Sequence, residues 1–165
     1  MPSPIASVSD PPHEEAARMD VTRIDQVGIA VEDLDAALDL YARAFGILPI
    51  SREHVEHDGV EEAMLEVGGV HLQLVQSTRE GSAIERFIER RGPGLHHLGL
   101  AVRSLDDALD HLRSEGLELI DEVPRRGGGG HLVAFVHPRS TGGILVELIE
   151  DHAADDHAAG DPSGV

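Results

Sequence analysis

Four polar side chains interrupt otherwise apolar, strand-like runs in this sequence: Gln26 in "IDQVGIAV", Gln73 in "VHLQLV", His97 in "LHHLGLAV" and Glu147 in "ILVELI". One imidazole, one carboxylate and two amide oxygens suit a divalent metal of borderline hardness, provided the chain brings them to one point. Taken singly, a Gln or His in a strand is more often a hydrogen-bonded core or edge residue than a ligand. A buried Glu147 without a partner is costly, however, and four such residues related by a repeat favour a shared site.

The reason to expect convergence is that the chain repeats itself. "QVGIAVEDLDAALD" from residue 26 aligns with "HLGLAVRSLDDALD" from residue 97, so that Gly28, Ala30, Val31, Leu34, Asp35, Ala37, Leu38 and Asp39 recur 71 residues later. A second echo, "GGVHLQLV" from residue 68 and "GGILVELI" from residue 142, lies at an offset of 74. The longer spacing fits the loop "PRRGGGGH" of the second half. Repeat symmetry pairs Gln26 with His97 and Gln73 with Glu147, and a pseudo-twofold axis could gather all four.

Each half reads as strand, helix and three further strands, in the first half roughly 23–31, 34–45, 48–56, 60–67 and 70–76. Apolar residues at helical spacing (Leu34, Leu38, Tyr41, Phe45; Leu105, Leu109, Leu112) mark the helices, and "SAIERFIERR" at 82–91 reads as a linker helix. Strand alternation puts Ile24, Gln26, Gly28 and Ala30 on one face and Leu95, His97, Gly99 and Ala101 on its equivalent. A polar residue followed along its face by Gly and then Ala leaves room for something. One domain is expected over 21–150, with modules at 21–81 and 94–150, between disordered tails at 1–20 and 151–165. His13, His152 and His157 fall in those tails and are expected to be solvated.

Composition narrows the classes of function. There is no Cys, so thiolate metal sites, disulfides and cysteine nucleophiles are unavailable. No run approaches the ~20 apolar residues needed to span a bilayer, and "MPSPIASVSDPPHEEAARMD" has neither the basic nor the apolar region of a secretory signal, so a cytoplasmic protein is expected. A formal net charge of -18 argues against nucleic acid as a partner. All 13 basic residues are Arg. Arg125 and Arg126 cluster against the acidic background and are candidates for an anion site or, equally, a solvated turn.

The paired openings "VGIAV" and "HHLGLAV", the segment "GVEEAML", "LQLV", "EVPRRGGGGHLVAFVHP" and "GGILVELIE" resemble the methylmalonyl-CoA epimerase family, within the vicinal oxygen chelate superfamily that includes glyoxalases, bleomycin-resistance proteins and dioxygenases. The resemblance runs from about residue 23 to 150. It implies an α+β fold of paired βαβββ modules forming an open cup of mixed sheet around one divalent metal, Co²⁺ foremost, with Mn²⁺, Ni²⁺, Zn²⁺ or Mg²⁺ as alternatives, in a homodimer. Carried over by motif, the metal ligands are Gln26, Gln73, His97 and Glu147, and the acid/base carboxylates are Glu62 of "GVEEAM" and Glu147. Glu61 is expected to face away from the site, and His96 to point to the opposite face in a supporting role. The implied reaction interconverts the (R) and (S) epimers of methylmalonyl-CoA by removing and returning the C2 proton through a metal-stabilised enolate. The acyl-CoA is anionic, so local Arg, with Arg125 and Arg126 as candidates, must offset the acidic surface.

The chain departs from the family pattern at one ligand, with Gln26 where these epimerases typically carry His. Only one imidazole then remains among the four, which disfavours an iron dioxygenase needing two His and a carboxylate. Two other readings stay open: a glyoxalase I-type lactoylglutathione lyase, and a metal-free small-molecule binder of the bleomycin-resistance kind.

Overall fold

A computed structural model describes residues 19–151. The order is β1 (Val21–Ala30), α1 (Leu34–Phe45), β2 (Pro49–Val55), β3 (Val60–Val67), β4 (Val70–Ser77), α2 (Ala83–Arg91), β5 (Gly94–Val102), α3 (Leu105–Ser114), β6 (Arg125–Arg126), β7 (Leu132–Val136) and β8 (Leu145–Glu150). All eight strands form one mixed sheet ordered β2-β3-β4-β1-β5-β8-β7-β6. The architecture is the expected α+β one, with two βαβββ modules joined side by side.

Each module repeats the same pairing. Its first strand runs parallel to its last, β1 with β4 and β5 with β8, and the modules meet where β1 and β5 pair antiparallel. In the second module the first of the three later strands shrinks to Arg125–Arg126, with a single bridge from Leu119 to Val136.

The helices begin where the sequence supplies caps: the side chains of Asp33, Ser82 and Ser104 each accept from a backbone N–H three residues on. Alternation divides each strand between two faces. Ala63, Leu65 and Leu74 pack with Leu34, Leu38 and Tyr41 of α1; Ala134, Val136 and Leu148 pack with Leu105, Leu109 and Leu112 of α3. The opposite face carries Glu62, Gln73, His97 and Glu147.

Two β-bulges stand at repeat-related places in the central pair. Ile24 and Gln26 oppose Leu100 and Gly99, which makes Asp25 the extra residue of β1; Gly28 and Ile29 oppose His97 and Leu95, which makes His96 the extra residue of β5. Simple alternation fails there as a result. Ile24 and Leu95, expected on the site's face, are both exposed.

The tails lie outside the described residues, as do His13, His152 and His157, but their inner ends belong to the fold. Met19 packs against the α3 core and Asp20 pairs with Arg103. Asp151 is buried, accepting from Thr22 at 2.7 Å and pairing with Arg23. Met19, Asp20 and Asp151, just outside the expected 21–150, thus make contacts with it.

The sheet curls until its two edges nearly meet. The Gly129 N–H donates to Glu53 of β2 at 2.8 Å, His57 Nε2 is 3.0 Å from the carbonyl of Arg126, and Arg125 Nη1 is 3.5 Å from Asp58. The glycine-rich loop after β6 thus straps the second module to the first.

Candidate functional site

The four repeat-related residues converge. Gln26 Nε2 lies 2.7 Å from Glu147 Oε2, 3.2 Å from Gln73 Oε1 and 3.2 Å from His97 Nε2, and His97 Nε2 is 3.1 Å from Glu147 Oε2. All four are buried, between 5% and 7% exposed. Burial of this much polarity is tolerated only because each group faces another, and among the described residues no buried side-chain N or O lacks a partner.

What fills the room left by glycine is the polar side chain of the other module. Gly28 lies directly opposite His97 and Gly99 directly opposite Gln26. A Cβ on Gly28 would stand 2.1 Å from the His97 ring, and one on Gly99 would stand 2.5 Å from Gln26 Cγ. Neither glycine has a positive φ, so each is required for space rather than for backbone conformation.

Glu62 joins the cluster from β3. Its Oε2 accepts from Gln73 Nε2 at 2.8 Å, so a chain of two amides, Gln73 and Gln26, connects the carboxylates of Glu62 and Glu147. Burial, then the charges of Glu53, Glu147 and Asp58, raise its pKa to about 7, against the lowering effect of the Gln73 hydrogen bond. Glu61 shows the contrast one residue away: it faces outward, and the hydrogen bond from Arg52 at 2.7 Å holds its carboxyl below the ordinary range.

Two cavities, of about 410 and 240 Å³, lie against these residues. Glu62, Gln73, Glu147 and Gly128 line both, so the two carboxylates stand on the partition between them. Met64, Val133 and Ile149 add apolar wall to the larger; Val75, Ile84, Phe135 and Leu145 add it to the smaller. Gly128 has no signal in the sequence beyond its run of glycines. Its α-carbon faces Glu62 so closely that a Cβ would stand 2.3 Å from Oε1.

Of the two candidate arginines, Arg125 lines the smaller cavity, partly exposed over the Phe135 ring at 5.3 Å and paired with Asp58 and Asp121. Arg126 lines neither cavity and donates to the carbonyl of Gly130. His96 does not point to the opposite face. As the extra residue of the bulge it lines the same cavity as His97, with the two Nδ1 atoms 2.9 Å apart.

No cluster of three or more His, Asp or Glu among the described residues could hold a metal ion. The donor set closes only when the two glutamine amides are counted, and then it fits: an imidazole nitrogen, a carboxylate oxygen and an amide oxygen surround one point at 2.7 to 3.2 Å, at present occupied by the Gln26 amide group. Turning that amide over would present its own oxygen as the fourth donor.

Comparison with known proteins agrees with the fold. Residues 25–135 match the sequence profile of the Glyoxalase/Bleomycin resistance protein/Dioxygenase superfamily. Methylmalonyl-CoA epimerase from Mycobacterium tuberculosis superposes with a TM-score of 0.77 at 37% identity, over 88% of this chain and 97% of that one. A variant of the Streptomyces coelicolor methylmalonyl-CoA epimerase in complex with 2-nitronate-propionyl-CoA gives 0.77 at 36% identity, over 81% and 97%. The ethylmalonyl-CoA/methylmalonyl-CoA epimerase of Cereibacter sphaeroides is 31% identical over 130 residues, 78% of this chain and 97% of that protein.

Proposed function

The chain belongs to the Glyoxalase/Bleomycin resistance protein/Dioxygenase superfamily, and from that premise we propose that it is a methylmalonyl-CoA epimerase, interconverting the C2 epimers of methylmalonyl-CoA or a close 2-alkylmalonyl-CoA. The observation that carries this reading is the pair of buried carboxylates, Glu62 and Glu147, on the partition between two cavities.

Epimerisation takes a proton from one face of C2 and returns one to the other. The reading requires a substrate whose C2 lies between Glu62 and Glu147, with one carboxylate toward each face. Glu62, raised to about 7, suits both halves of this exchange, since it removes the proton when ionised and gives one back when protonated. Glu147 takes the complementary part, and which is base depends on the direction of reaction. Gln73 donates to Glu62 and holds its carboxylate toward the partition. The apolar walls would limit the water around C2, so that the proton returned comes from a carboxyl group.

Gln26, Gln73, His97 and Glu147 would hold a divalent metal ion, Co²⁺ by the family resemblance, and such an ion supplies Lewis-acid stabilisation of the charge that develops on the substrate oxygens. Arg125 is the candidate for an anionic part of the acyl-CoA, since it alone of the arginine pair reaches a cavity wall. Among the described residues no helix is long and apolar enough to cross a membrane; a cytoplasmic homodimer remains the expected form.

The test is elemental analysis of protein purified without chelators, together with an epimerisation assay on methylmalonyl-CoA, for wild type and Gln26→His. Stoichiometric metal and turnover in the wild type support the reading. A wild type inert with metal present, and active only as Gln26→His, would mean that this chain has left the epimerase activity behind.

A further inference from the structure

We propose that Glu53 is a positioning residue for Glu62, acting through the glycine strap: its carboxylate holds Gly129, and Gly129 in turn keeps Gly128 seated against the Glu62 carboxyl. The catalytic half of this rests on the acid/base role proposed for Glu62 above; the contacts that carry it do not.

Glu53 of β2 stands directly opposite Glu62 of β3 in the antiparallel ladder. Residues so paired share one face of the sheet, and like charges there are destabilising. Both side chains line the larger cavity, Glu53 exposed and Glu62 buried. The second module has no such conflict. There Arg125 stands opposite Val133, the position that the repeat relates to Glu62, since Met64 opposes Gln73 as Phe135 opposes Glu147. Two facing acids are thus peculiar to the module that carries Glu62, and each has its own donor: Gln73 Nε2 for Glu62 Oε2 and the Gly129 N–H for Glu53 Oε2, both at 2.8 Å.

The second of these bonds acts on Glu62 through one peptide unit. The strap turns at Gly129 and Gly130, whose φ of 62° and 76° glycine adopts without strain. With Gly129 bound to β2, the α-carbon of Gly128 lies so close to Glu62 that a Cβ would stand 2.3 Å from Oε1. The Glu62 carboxyl is therefore held at both oxygens, Oε2 by Gln73 and Oε1 by the strap. A long side chain needs such restraint, because a catalytic group must stay within about 0.5 Å of its productive place. The strap's other links to the first module, His57 with the Arg126 carbonyl and Arg125 with Asp58, fall before the glycines and do not fix Gly128.

The composition supplies a clean probe. The chain has three Gln and no Asn, so the side-chain amide region of a ¹H–¹⁵N spectrum holds three pairs of signals, and the Gln73 pair reports its bond to Glu62. Glu62→Ala marks where that pair falls when the bond is absent. In the full-length protein, Glu53→Ala should move the Gln73 pair toward the Glu62→Ala position and speed exchange of the Gly129 amide in deuterated water. It should also lower kcat for methylmalonyl-CoA by up to ~100-fold, the scale of a 1 Å misplacement, without raising KM, since removing a negative charge from the cavity wall does not weaken an anionic substrate. Glu53→Gln keeps an acceptor oxygen for Gly129 and should retain both the Gln73 signal and most of kcat. A Gln73 pair unmoved by Glu53→Ala, an unchanged kcat, or a Glu53→Gln as impaired as Glu53→Ala overturns the inference. The expected shift in a protein that turns over no methylmalonyl-CoA would support the hold on Glu62 and overturn only the proposed reaction.

Discussion

Single residues make this site by being polar, buried and matched to one another, and Glu62 shows it best. Its carboxyl holds a proton more tightly in the folded chain than in the unfolded one, so its contribution to stability is complete below the ordinary carboxyl value of 4.5 and is lost as pH rises through about 7. Metal-free wild type should thus lose thermal stability between pH 5 and 8 (about the span around that value) relative to Glu62→Gln, which a melting series for both proteins would measure. The same substitution should lower epimerisation by ~10²- to 10⁴-fold, the range for a general acid/base group, while protein fold and metal content stay unchanged. Gly28 and Gly99 can be probed from the other side. Ala at either would press on His97 or Gln26 and cost about 1–3 kcal/mol in a denaturant titration, as overpacking does; no change in either variant would mean that these two side chains do not lie on those glycines.

Among the elements, the strap formed by Gly127–Gly130 lies against Glu62 from a distant part of the chain. Gly128→Ala should leave the melting temperature nearly unchanged, because the 2.3 Å contact is with the far end of a flexible side chain, yet lower kcat as the carboxylate is displaced from the partition. Unchanged kcat would mean that Gly128 does not position Glu62. The strap also marks the limit of what a sequence discloses. Gln26, Gln73, His97 and Glu147 are legible there because alternation within a strand and repetition between modules are both local patterns. The bulges are not, since an extra residue at Asp25 or His96 leaves no trace in the hydrophobic pattern, and alternation therefore puts His96 on the wrong face. Nor are the contacts of the strap. Gly129 reaches Glu53 across 76 residues of sequence, and nothing in the run of glycines says which carboxylates it will meet.

Over the molecule as a whole, the net charge of -18 would oppose the approach of the anionic acyl-CoA proposed as substrate. Raising ionic strength from about 10 to 150 mM shortens the screening length from roughly 30 to 8 Å, and kcat/KM should increase accordingly; a decrease would place the substrate in a locally basic field stronger than the global one. Arg125→Gln should raise KM with little effect on kcat, whereas Arg126→Gln should change neither, in the same steady-state assays. The pseudo-twofold relation between modules also shapes the candidate site. It sets β1 beside β5 and brings together a polar side chain from each of four strands, and Glu62 and Glu147, from different modules, line both cavities. Whether these two carboxylates act on opposite faces of one carbon is decided by following deuterium at C2 of methylmalonyl-CoA by NMR in deuterated water, with metal-loaded wild type and Glu62→Gln. Wild type should place deuterium in the product epimer, and Glu62→Gln should exchange one epimer without epimerising it. Absence of exchange in the metal-loaded wild type, or unimpaired epimerisation by Glu62→Gln, would contradict the two-carboxylate mechanism.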